Sequence, residues 1–363
     1  MIQMILPKWM DLHTHFRQGE AVADYISDHL AMGCVGALAM PNTKPPVAAV
    51  FQSDEGEYWS IERYRSDLMA AGADAFDHLI IPLYLTKDTT PEMIAKGAEA
   101  GILQACKAYP PHGTTGAEFG VPITTFIDNG VFAAMQDHGV VLCVHGEEHE
   151  LPTERYFDRG ENAEEIFYAE RMPRVRDALP DLKIVCEHVT TRKAVEFVQQ
   201  AGERTAATIT PQHLLYTIGD LIQGLKYHLF CLPVLKFQDD RQALRDAVLD
   251  GENTQFFAGT DSAPHAEKVT ECGCAAGCYT GGIAPQLYAQ AFEEAGADLG
   301  SEIGQDLFRR FLCENGPSFY DLPIPEDTFS LIKQESEISC KGCATPLPKG
   351  LGINALSWFV DRL

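Results

Sequence analysis

The sequence predicts an α/β chain folded as a (β/α)8 TIM-like barrel with a C-terminal helical extension, and three observations predict it. Eight short apolar runs alternate with segments of helical period between residues 8 and 261, as parallel β-α units require. Those runs are apolar on both parities, as expected for strands covered on both faces. Ionisable residues close most of them, and a barrel gathers its chemistry at the C-terminal strand ends. A doubly wound open sheet is the competing arrangement.

The runs expected as strands are 8–15, 33–40, 79–85, 102–109, 140–145, 183–188, 206–210 and 255–261. Between them, apolar spacing of three and four residues predicts helices at about 22–31, 57–73, 91–100, 124–137, 163–179, 192–200 and 241–249. Two further helices are expected at about 284–294 and 302–315, followed by a tail rich in proline, glycine and cysteine. No repeat, low-complexity tract or linker interrupts the pattern, so 1–363 reads as one domain, with the tail from about 324 the least patterned part.

Composition narrows the function. The chain is 45% hydrophobic and 22% charged, ordinary values for a globular protein. Its apolar runs are too short for a membrane span, and the first ten residues lack the core of a secretory leader, so a cytoplasmic location is expected. With 28 Lys+Arg against 52 Asp+Glu, the net charge of −24 argues against nucleic acid and anionic membranes as partners. An anionic substrate would need a local positive site. Most of the eleven cysteines sit singly in apolar runs, as buried thiols of a reducing compartment do. Cys272, Cys274 and Cys278, and separately Cys340 and Cys343, form clusters that could hold a structural zinc, although neither offers four ligands and free thiols fit better.

The chemistry-bearing residues fall in order along the barrel pattern. His13 and His15 end the first run one residue apart; alternation on a strand aims both imidazoles at one point, as a divalent metal needs. Arg17 continues the parity and can hold an anion beside that point. Lys107 ends the fourth run, His145 the fifth, His188 the sixth and Asp261 the eighth. Four imidazoles and a carboxylate exceed what one catalytic zinc takes and suit two metals sharing a site. Lys107 fits either as a lysine snorkelling to solvent or as a neutral amine converted by carbon dioxide to a bridging carbamate.

These residues sit in an ordered set of motifs: Asp11-Leu12-His13-Thr14-His15-Phe16-Arg17, Met40-Pro41-Asn42-Thr43, Lys107-Ala108-Tyr109-Pro110, Val144-His145-Gly146-Glu147, Glu187-His188-Val189-Thr190-Thr191, Ile209-Thr210-Pro211-Gln212-His213-Leu214, Cys231-Leu232-Pro233-Val234-Leu235-Lys236 and Gly259-Thr260-Asp261-Ser262-Ala263-Pro264-His265. The set resembles the metal-dependent amidohydrolase superfamily and, within it, the dihydroorotases of the single-function bacterial type, from Asp11 to about Pro323. The resemblance implies two zinc ions per chain. His13, His15 and Asp261 would hold one, His145 and His188 the other, and carboxylated Lys107 with a hydroxide would bridge them. It implies reversible closure of N-carbamoyl-L-aspartate to L-dihydroorotate, with Asp261 as general acid and base. Arg17, Asn42 and His265 would clamp the free carboxylate of the substrate. The main chain of Leu232, together with Ala275, would contact the ring, and Thr114 and Thr115 would fold over it from a mobile loop. His213 receives a structural role, and a homodimer is expected.

Two other classes compete. A hydantoinase, dihydropyrimidinase or allantoinase would use the same metals on a neutral ring, which gives Arg17 no partner. A non-catalytic scaffold of the same fold would lack the metal ligands, all six of which are present.

Overall fold

The computed structural model describes residues 2–271 and 273–361. Eight strand positions follow one another in parallel: β1 (Trp9–Thr14), β2 (Cys34–Ala39), β3 (His78–Ile80, continued by Leu83–Tyr84), β4 (Ala105–Ala108), β5 (Val141–His145), β6 (Ile184–Glu187), β7 (Thr205–Ile209) and β8 (Phe256–Ala258). The third strand is split because Pro82 has no N–H for the ladder. Its first piece pairs with β2 and its second with β4. Closure follows just beyond β8. Thr14 forms a parallel bridge with Ser262, the Asp261 N–H donates to the His13 carbonyl (2.8 Å), and the His15 N–H donates to Ser262 (2.9 Å).

Asp11 fastens that seam. Its buried carboxylate accepts from the Thr260 N–H (3.0 Å) and hydroxyl (2.6 Å) and meets His29 Nε2 (3.1 Å) on the helix Val22–Ala31. Met10, Leu12, Leu38, Ile80, Val141, Val185 and Phe257 fill the barrel interior. A larger shell of apolar side chains packs between strands and helices. The β1 register slips between Asp11 and Thr14. Such a bulge re-aims side chains, so Leu12 enters the interior core while His13 lines the cavity above it.

The helices depart from their expected bounds for local reasons. The second is Ile61–Ala70, shorter than 57–73, because the Ser60 hydroxyl caps it by accepting from the Arg63 N–H (3.0 Å). The span 124–137 is two pieces, Thr125–Asp128 and Val131–Asp137, separated at Gly130 with φ +81°. The span 163–179 widens into a π-turn at Phe167–Arg171, just before Pro173 removes an amide donor. The tail also differs from a purely helical extension. Thr328–Ile332 pairs antiparallel with both Gln3–Pro7 and Phe359–Asp361, a three-stranded sheet outside the barrel. Among the described residues no helix is long and apolar enough to cross a membrane. Cys274, Cys278, Cys340 and Cys343 are free thiols, and Cys272 lies outside the described residues.

Candidate metal centre

The strand ends bring His13, His15, Arg17, His145, His188 and Asp261 around one cavity, with Asn42, Thr114, Thr115 and Leu232 also in its walls. One ligand atom from each of His13, His15 and Asp261 lies within 4.8 Å of the others. The His188 ring centroid is 4.9 Å from that of His13 and 4.7 Å from that of His145.

Hydrogen bonds on the far side of each ring decide what the near side offers. His13 Nδ1 donates to Glu187 Oε2 (2.6 Å), and His15 Nδ1 donates to Asn42 Oδ1 (2.7 Å). Both Nε2 atoms then present lone pairs to Asp261 Oδ1, at 3.3 and 3.0 Å. Three lone-pair atoms facing one another repel unless a cation or a proton stands between them. His145 uses Nε2 on Glu147 (2.8 Å), leaving Nδ1 as its free ring nitrogen, and His188 Nδ1 is buried without a partner. Burial pulls His188 and His145 below the usual histidine range and takes His15 to about 4. These three are therefore the neutral imidazoles that metals bind. At Asp261 burial alone would raise the pKa, but the imidazoles of His13, His15 and His188 around it together outweigh burial and hold the carboxyl well below its usual value.

Lys107 is fully buried, and its Nζ has no hydrogen-bond partner. An unpaired buried ammonium is very costly, and burial accordingly pulls the amine below its ordinary pKa. This is not a lysine snorkelling to solvent. The donor set fits divalent cations: imidazoles and a carboxylate converge, and a neutral amine lies buried close by.

The remaining expected residues are placed as follows. Arg17 has φ +64°, and its Nε is buried and unpartnered. His265 Nε2 donates to the Ala276 carbonyl (2.7 Å), so Arg17 Nη2 at 3.3 Å lies beside the imidazole rather than donating to it. Asn42 Nδ2 reaches the Thr115 carbonyl (3.0 Å), tying the loop to the residue that orients His15. Ala275 stands one residue outside the lining, its N–H on the Lys268 carbonyl (2.8 Å), and Ala276 and Gly277 take the wall position. His213 is satisfied by the Thr210 hydroxyl (2.7 Å) and the Pro233 carbonyl (3.1 Å), away from the cavity wall. His188 and Asp261 share the left-handed backbone of Arg17, at φ +40° and +46°.

Two groups that complete the site stand within the motifs quoted above, where spacing alone assigns them no role. Glu187 holds His13 and accepts from the Thr208 hydroxyl (2.6 Å), while Glu147 holds His145. A second cleft of about 440 Å³ opens behind Tyr109 and His145, walled by Pro110, Leu151 and Phe167 and rimmed by Glu148, Glu150 and Arg171.

No protein-family model matches the chain. Individual relatives do. The chain is 42% identical over 335 residues to a dihydroorotase of Stutzerimonas stutzeri (strain A1501), covering 90% of this chain and 89% of that one. Among solved structures, Saccharomyces cerevisiae dihydroorotase in complex with 5-fluoroorotic acid superposes with a TM-score of 0.83 at 28% identity over 100% of both chains. An L-hydantoinase (dihydropyrimidinase) from Arthrobacter aurescens shares the fold alone, with a TM-score of 0.73 at 14% identity over 98% of this chain and 82% of that one. Sequence relationship over nine-tenths of the length and a barrel whose rim gathers residues able to hold a metal agree: the chain belongs to the dihydroorotase family of cyclic amidohydrolases.

Proposed function

We propose that the protein interconverts N-carbamoyl-L-aspartate and L-dihydroorotate in pyrimidine biosynthesis, using two zinc ions and a carboxylated Lys107. The observation that carries this reading is the meeting of His13, His15 and Asp261 beside two further imidazoles and an unpartnered buried amine. His13, His15 and Asp261 would hold one zinc, His145 and His188 the other, and the carbamate of Lys107 both. The carbamate forms when the neutral amine adds carbon dioxide and releases a proton. Bound zinc supplies Lewis acidity, polarising the ring amide carbonyl and lowering the pKa of water.

The chain's own residues do the rest. In hydrolysis Asp261 takes a proton from the attacking water and delivers it to the departing amide nitrogen; in synthesis it takes the nitrogen proton. Arg17, Asn42 and His265 hold the substrate's free carboxylate, Leu232 contacts the ring through its main chain, and Thr114 and Thr115 close over it. Ala275, next to the cavity-lining Ala276, contacts the ring beside it. A homodimer in the cytoplasm accompanies this reading.

The direct test is hydrolysis of dihydroorotate by purified, zinc-loaded protein, measured beside a neutral hydantoin. Arg17→Met should raise KM for dihydroorotate about 100-fold, the loss of a charge-assisted bond to a carboxylate, and leave any hydantoin turnover unchanged. Equal loss on both substrates would remove Arg17 from carboxylate recognition. Glu187→Ala frees the His13 ring and should weaken zinc binding by about 10- to 100-fold in competition against a chelator. Undiminished affinity would make Glu187 a packing residue only.

A further inference from the structure

The site contains a hydrogen-bond donor that none of the roles above uses. Tyr109 lies two residues after Lys107, is 4% exposed, and forms the wall between the metal-side cavity and the second cleft. Its ring is held from both sides, by Tyr84 (centroids 4.8 Å apart) and by Lys107, whose Nζ sits 5.2 Å from the ring centre. Its hydroxyl is buried without any hydrogen-bond partner. By contrast, the Tyr84 hydroxyl beside it donates to the Gly116 carbonyl (3.1 Å). A buried, unsatisfied hydroxyl is a standing cost to a folded protein.

Tyr109 lines the same cavity as Arg17, Leu232 and Asp261, and its ring centroid lies 6.4 Å from that of His145.

We propose that Tyr109 is a substrate-binding residue, its hydroxyl donating a hydrogen bond to an oxygen of the dihydroorotate or carbamoyl-aspartate bound between Arg17 and Asp261. The assignment rests on the reading of the site given above. The chemistry it recognises is an acceptor oxygen on a cyclic amide or its ring-opened acid. A ring held rigidly on both faces delivers that donor at little entropic cost.

Tyr109→Phe removes one oxygen and leaves the ring. In zinc-loaded protein the KM for dihydroorotate should rise about tenfold with kcat within about twofold of wild type. The dissociation constant of a non-hydrolysed orotate, read by calorimetry, should weaken to the same degree. Thermal stability should hold or rise, because the variant loses an unsatisfied buried group. A KM and orotate affinity within about twofold of wild type would overturn the assignment, and so would a lowered melting temperature or a loss of bound zinc, which make the hydroxyl structural. Wild-type protein that fails to turn over dihydroorotate would instead defeat the reading of the site, and this assignment with it.

Discussion

Lys107→Ala should abolish measurable hydrolysis of dihydroorotate and lower the zinc retained per chain. The lysine is fully buried with no partner for its amine, and in the proposed reading it acts through the carbamate anion it would become. Without that anion, cations held by His13 and His15 and by His145 and His188 would face each other unscreened at the floor of the cavity. Loss of Lewis-acid assistance amounts to several kcal/mol at the transition state, a rate deficit on the order of 10³-fold or more. Lys107→Met keeps the volume of the stem and should behave alike, which separates the chemistry from a packing defect. A short carboxylic acid added to the alanine variant should restore part of the rate by occupying the vacated volume as an anion. Normal turnover by Lys107→Ala would end the carbamate reading.

Asp261→Asn should be nearly as damaging by a different route. The amide keeps the shape of the side chain and one oxygen toward His13 and His15, but it can neither accept a proton nor offset a cation. General acid-base assistance is worth about 10²- to 10⁴-fold, and kcat should fall toward the far end of that range. The KM should change far less, because Arg17 and its neighbours still hold the carboxylate. Steady-state rates in both directions, at fixed zinc, check this. Turnover within about tenfold of wild type would take Asp261 out of the proton path.

Most of this site could be read from the sequence because its members terminate strands. His13, His15, Lys107, His145, His188 and Asp261 each follow an apolar run, and a run that ends in an ionisable residue states both the strand and its active end. What stayed hidden depends on distance through space. Glu187 orients His13 across 174 positions, and no local pattern marks it, since a glutamate before a histidine resembles any polar strand end. The pairing of Gln3–Pro7 with Thr328–Ile332 joins segments more than 300 residues apart, so the tail carried little pattern of its own. The wall position of Ala276 beside Ala275 falls in an irregular loop that includes Gly273 and Gly277 in open backbone conformations, where spacing ceases to report side. Pro82 and Pro173 were visible, yet a strand or helical period continues across each; only the missing amide reveals how the element gives way.

The left-handed backbone shared by Arg17, His188 and Asp261 carries a consequence for how this protein can change. Each such non-glycine position holds conformational strain of about 1–3 kcal/mol. The strain falls on three residues to which the proposed reaction gives work. Selection for heat resistance alone would find glycine rewarding at all three, and each step would trade catalysis for robustness. A lineage or a laboratory library that keeps turnover under selection must seek its added stability elsewhere in the barrel.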